Sequence, residues 1–266
     1  MISTGRNNGD VFPFYIDILR EKNMLAFKKN ITKTLLGMAC ICVVTPSFAA
    51  ISLDRTRAIF NESERSMTLS IKNDNTLLPY LAQAWLENSL MEKITTGPLI
   101  VTPPVQRVEP GKTSLVRVSS TFEVSKLPLD KESVFYFNLR EIPPKSDKAN
   151  ALQIALQTKI KLFYRPKAIE AKPNAVWQDQ LVLNEIPDGY NVVNPTPYYI
   201  TVTGLADSKS NIDKGEFPPF MIAPKSELEI QSKHYKRPLI SYINDYGGRP
   251  ILPFECAASR CVVVKK

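Results

Sequence analysis

Met67-Thr68-Leu69-Ser70-Ile71-Lys72 alternates apolar and polar side chains, and Asn73-Asp74-Asn75 follows it with turn residues. A period of two places Met67, Leu69 and Ile71 on one face of a strand, the pattern of a sheet with one side buried. The same signal recurs downstream. Residues 80–86 read as a strand carrying Trp85, residues 113–118 as another, and residues 133–140 set Phe135, Phe137 and Leu139 on one face. Thr102-Pro103-Pro104, Glu109-Pro110-Gly111 and Ile142-Pro143-Pro144 lie between or after them. Proline has no N–H to give to a ladder and glycine relieves tight turns, so these are strand breaks. Short strands separated in this way predict an antiparallel sandwich.

A second set follows Arg165-Pro166, beyond a linker at Lys172-Pro173-Asn174. Strands are expected over 180–184, 189–193, 198–203, 227–231 and 239–243, then a terminal hairpin, with tight turns at Asp188-Gly189 and Gly247-Gly248. The fold class is therefore all-β, with two immunoglobulin-like β-sandwich domains over 50–166 and 174–266 and a linker over 167–173. At about 115 and 95 residues each is near the usual size of such a unit.

The chain has 266 residues, 44% of them apolar and 23% charged, which suits a packed core and argues against disorder. His234 is the sole histidine, so histidine triads and histidine-rich metal sites are nearly excluded. The formal charge of +8 falls to +5 once residues 1–49 are set aside, and no dense basic run occurs. Nucleic acid is not an expected partner.

The first 49 residues read as an address. Lys28, Lys29 and Lys33 precede an apolar run from Leu35 to Val44, and Pro46-Ser47-Phe48-Ala49 ends in a small-x-small site. This is a signal peptide cut between Ala49 and Ala50. Ten apolar residues span roughly 15 Å as a helix, about half a bilayer core, so no stable membrane anchor is expected. Met24 as translation start gives a signal of ordinary length. Cys40 and Cys42 fall in the removed segment. Cys256 and Cys261, flanked by strand-like residues, suit a disulfide across the terminal hairpin in an oxidising compartment, with two free thiols as the alternative.

Residues 151–164 form an unusual run. Leu152, Ile154, Leu156 and Ile160 share one face, while Gln153, Gln157, Lys159 and Lys161 share the other. About 14 residues, roughly 45 Å as a strand, exceed what one sandwich usually needs. The apolar row either faces its own core or forms a donor edge open to another chain.

Other motifs fail. Gly111-Lys112-Thr113 ends like a phosphate loop, but position 106 is Gln106 where a glycine is required. No G-x-S-x-G, H-E-x-x-H or calcium-loop pattern occurs, and nothing favours a paired-carboxylate hydrolase. No cofactor and no metal are expected. His234 reads as a surface or rim residue.

Ile51-Ser52-Leu53-Asp54-Arg55-Thr56-Arg57, Pro79-Tyr80-Leu81-Ala82-Gln83-Ala84-Trp85, Asn138-Leu139-Arg140-Glu141-Ile142-Pro143-Pro144 and Lys159-Ile160-Lys161-Leu162-Phe163-Tyr164-Arg165-Pro166 resemble the periplasmic pilus (fimbrial) chaperones. The resemblance covers essentially all of residues 50–266. Residues 1–23 have no counterpart, which favours the start at Met24. The resemblance implies two sandwiches in a boomerang arrangement and a non-enzymatic function. Such a chaperone binds pilins and adhesin by donor-strand complementation, prevents their aggregation and delivers them to an outer-membrane usher. Leu152, Ile154 and Leu156 map onto the donor contacts. Arg57 and Lys161 map onto an anchor for the subunit's C-terminal carboxylate. Lys161 has the opposite parity to the apolar row, so it should face the cleft beside Arg57.

Glu132, Arg165 and Asp245 map onto an interdomain ion network, and Pro103 onto a cis proline. The short stretch between Pro144 and Leu152 places the chain, by analogy, in the short-loop class serving rod-like pili. Self-association of the free chaperone would cover the apolar row. The alternative from another class is a structural immunoglobulin-like pilus or adhesion component, which would be a single domain lacking its own last strand.

Overall fold

The computed structural model describes residues 50–147, 150, 152–212, 214 and 217–264. The signal-peptide and start-site expectations, over residues 1–49, lie outside the described residues. Among the described residues no helix is long and apolar enough to cross a membrane.

The first sandwich contains β1 (Ile51–Leu53), β2 (Arg57–Asn61), β3 (Ser66–Asn73), β4 (Tyr80–Glu87), β5 (Lys93–Ile94), β6 (Leu99–Thr102), β7 (Val105–Val108), β8 (Thr113–Ser120), β9 (Ser133–Ile142) and β10 (Gln157–Arg165). One sheet runs β1-β3-β8-β6 and the other β2-β10-β9-β4-β5, with β7 also paired to β4. The chain thus crosses from one sheet to the other between β1 and β2. The alternating rows read from the sequence meet between the layers. Leu69 and Ile71 of β3, Val116 and Val118 of β8, and Phe137 and Leu139 of β9 are all buried in one cluster. The Thr102–Pro103 peptide bond is cis.

The second sandwich contains β11 (Val182–Ile186), β12 (Gly189–Asn194), β13 (Ile200–Ala206), β14 (Phe220–Ile222), β15 (Ser226–Gln231), β16 (Leu239–Ile243), β17 (Ile251–Ala257) and β18 (Arg260–Val263). β17 joins two layers: residues 251–253 pair with β16, and residues 254–257 pair with β18. Leu183, Tyr190, Val202, Ile240 and Phe254 fill the space between them. A short helix, α1 (Lys209–Ile212), packs beside β13.

Two expectations change. The strand expected over 180–184 begins at Val182, because residues 178–180 form a turn of 3₁₀ helix. The 14-residue strand expected from Ala151 is only nine residues long and begins at Gln157. Its neighbour β9 ends at Ile142, and Pro143-Pro144 follow, offering no N–H groups to extend the ladder. Upstream of β10 the described backbone is held by one bond, from Glu141 N–H to Leu156 O at 3.0 Å, and by the Gln153 side chain on Pro144 O.

Candidate functional site

β10 is the element that organises the site. It pairs with β9 from Gln157 to Tyr164, but with β2 only from Lys161 to Arg165. Residues 157–160 therefore have a ladder on one side and, among the described residues, an open edge on the other. An open edge presents unpaired N–H and C=O groups, a template for another chain's strand. Leading into it are Leu152, Ile154 and Leu156, which are 88%, 64% and 42% exposed. Ile160, of the same parity, is buried in the first core. The apolar row thus divides: its end inside the ladder packs inward, and its start has no cover within the described chain.

At the other end of the open edge stands the pair Arg57 and Lys161. The parallel register of β2 and β10 sets them directly opposite each other. Both point to the second sandwich, where the Thr201 hydroxyl lies 3.5 Å from a nitrogen of each. Arg57 also donates to Ile243 O at 3.0 Å and sits over the Phe163 ring. Neither cation forms an ion pair among the described residues. Burial pulls the Lys161 ammonium below its ordinary value, and the adjacent Arg57 charge pulls it further. Burial also lowers Arg57, with Asp245 and Glu132 opposing from farther off. Two half-desolvated cations side by side repel, and an anion between them relieves both. A fork and a compact ammonium together match a carboxylate.

Lys159, two residues back on the same face, is spent differently: its ammonium pairs with Glu87 at 2.7 Å. The Thr201 contact was not visible in the sequence. It depends on how the two sandwiches pack, and no local pattern marks it.

Arg165, at the end of β10, joins the sandwiches. Its Nε and one terminal nitrogen donate to Glu132 Oε1 at 2.9 and 2.7 Å, and the other donates to Asp245 Oδ2 at 2.9 Å. Glu132 Oε2 accepts the Tyr199 N–H at 2.8 Å, and Glu132 N–H reaches Pro197 O. The guanidinium faces the rings of Trp177 and Tyr198, 4.9 Å from each centroid. Burial outweighs these bonds and pushes the Glu132 carboxyl up to about 7. An open cleft of about 1010 Å³, lined by Arg57, Ile59, Arg165, Trp177 and Asp245 among others, lies beside this network.

Cys256 and Cys261 are disulfide-bonded across the β17–β18 hairpin, where they are register partners. His234 is exposed, and its Nε2 lies 2.8 Å from Ile186 O and 3.1 Å from Gly189 O in the second sandwich.

The comparisons with known proteins agree in kind. The N-terminal domain family of PapD, described as pili and flagellar-assembly chaperones, matches residues 50–170, and the C-terminal domain family of the pili assembly chaperone PapD matches residues 176–253. The chain is 61% identical to chaperone protein PapD of Escherichia coli, over 88% of this chain and 98% of that protein. It is 43% identical to chaperone protein PmfD of Proteus mirabilis, over 86% and 92% of the two chains. Among solved structures, the Escherichia coli chaperone DraB superposes with a TM-score of 0.65 at 27% identity, covering 78% of this chain and 99% of that one. The chain belongs to the PapD family of pilus-assembly chaperones, a two-domain all-β family.

Proposed function

We propose that the protein works in the periplasm, where it binds pilus subunits by donor-strand complementation and passes them to an outer-membrane usher. The observation that carries this reading is the juxtaposition on β10: an open edge, exposed apolar side chains leading into it, and, at its far end, two cations that form no ion pair among the described residues.

Each part has a physical task. Main-chain groups of the edge bond to a subunit strand whatever its sequence, which suits a chaperone with several clients. Leu152, Ile154 and Leu156 enter apolar pockets of the subunit, each contributing about 1.5–3 kcal/mol of burial before ordering costs. Arg57 and Lys161 take the subunit's terminal carboxylate and so fix the register of the strand. Glu132, Arg165 and Asp245 hold the second sandwich where Thr201 and Ile243 can steady those cations. The protein acts by binding and not by catalysis.

The relatives' names as chaperones support this reading, as does the signal-like segment ending at Ala49. The two family matches, ending at 170 and resuming at 176, support a domain boundary at the 167–173 linker. Co-expression with a cognate pilus subunit tests the proposal. A soluble one-to-one complex is expected. A subunit that aggregates equally with and without the protein would overturn it.

A further inference from the structure

Glu141 has no part in the mechanism above, yet its carboxylate is set inside the protein. It lies on the same side of β9 as Phe137 and Leu139, facing the first core, and is only 6% exposed. Its Oε2 accepts the N–H of Ile51 at 2.9 Å. No Lys, Arg or His forms an ion pair with it among the described residues. A buried carboxylate without a cation is strongly disfavoured. Ala50, the residue before Ile51, is itself buried at 8% exposed, and its carbonyl accepts the Asp74 N–H at 2.7 Å.

We propose that cleavage between Ala49 and Ala50 supplies the missing charge: the α-ammonium freed on Ala50 pairs with the Glu141 carboxylate. The step is a hydrolysis by an export-linked endopeptidase. The Ala49–Ala50 C–N bond breaks, and water gives its hydroxyl to the Ala49 carbonyl carbon and a proton to the Ala50 nitrogen. That nitrogen then takes a second proton as an ordinary amine does near neutral pH. In the precursor the same nitrogen is an uncharged amide. Adjacent backbone nitrogens lie roughly 3–3.7 Å apart, so the new ammonium falls within about 7 Å of Oε2, and rotation about Ala50 brings it closer.

The pair links the two layers of the sandwich, since Ile51 belongs to β1 in one sheet and Glu141 to β9 in the other. It also lies at the root of the donor segment, because the Glu141 N–H holds Leu156 O. Maturation thereby firms the sandwich at the point from which the apolar residues project. The inference rests on the export reading and is independent of subunit binding.

The test uses the full chain exported with its own leader. Intact mass should place the N-terminus at Ala50, and a start elsewhere overturns the proposal. The mature protein is then compared with a form carrying an extra glycine and serine before Ala50, each with and without Glu141→Gln. The extension should lower the thermal midpoint by about 3–8 °C when Glu141 is present and by less than about 1 °C in the Glu141→Gln background. An equal loss in both backgrounds overturns it. NMR titration of the unaltered protein gives a second reading: the Ala50 α-amino group should titrate at least about one unit above the ordinary value of about 7.7, and an unshifted value contradicts the pairing. Subunit binding is scored separately. Its absence with the coupling intact would count against the proposed function and leave the ion pair standing.

Discussion

Lys161 stands directly opposite Arg57 across the parallel β10–β2 pairing, and the Thr201 hydroxyl of the second sandwich lies 3.5 Å from both. Two like charges are thus held together at the end of an open strand edge. Such an arrangement makes sense when an anion completes it. Lys161→Ala should weaken subunit binding about 10–100-fold, the range for losing a charge-assisted hydrogen bond. Because it relieves repulsion in the free protein, the thermal midpoint should hold or rise slightly. Titration calorimetry with a purified subunit, alongside a melting curve, separates the two effects. Normal affinity would remove Lys161 from the site.

Ile154 is exposed in the free chain, so Ile154→Ser should leave stability within about 0.5 kcal/mol of the parent. Its effect should fall on the complex, with affinity reduced at least about tenfold. Ile160→Ser makes the contrast. Ile160 is buried in the first core, and its loss should destabilise the chaperone itself. Denaturant midpoints and pull-down yields distinguish the two.

These two isoleucines also show how far the sequence could be read. Alternation in 67–72 and 133–140 was enough to predict both strands and their inward rows, because period two maps directly onto the faces of a sheet. Between 151 and 164 the same alternation overstated the strand. Pattern reports which side chains share a face, not whether a neighbour exists to pair with. The ladder stops short because continuing the register would set residues 153 and 154 opposite Pro144 and Pro143, which have no N–H to give. Short pieces such as β5 and β14 carried too few residues to show a period. The pairing of Arg57 with Lys161 came from the family resemblance. Thr201 could not be found at all, because it approaches from a different sandwich 40 residues away.

Removing Arg165 should be severe. It would leave Glu132 buried without its cation, an effect of about 3–5 kcal/mol, and would detach Asp245. Arg165→Ala should lower the unfolding midpoint and broaden the solution-scattering envelope as the two sandwiches loosen. Adding Glu132→Gln should restore part of the stability by removing the stranded charge, and a double variant no better than the single would argue against the network.

Glu132 also gives the protein a pH dependence with a definite sign. Its carboxyl is raised from 4.5 to about 7 in the fold, mainly by burial. A raised value means the stabilising contribution is complete below about 4.5 and is lost as pH rises through about 7. Urea midpoints should therefore increase as pH is lowered from 8 to about 5. Glu132→Gln should abolish that slope below about pH 7, where the Ala50 ammonium is charged in both the folded and the unfolded chain. Carboxyls held below their ordinary values, such as Asp54 and Asp74, lose their contributions only at lower pH and leave this window clear.

Amide hydrogen exchange over residues 152–160, measured for the free protein and for its complex with a cognate subunit, bears most directly on the account. The open edge predicts fast exchange at 152–156 and weak protection at the unpaired positions of 157–160 in the free state. On binding, the account predicts protection of alternate amides across this segment, as a new strand adds beside β10. Unchanged exchange here, with protection appearing elsewhere on the surface, would contradict it.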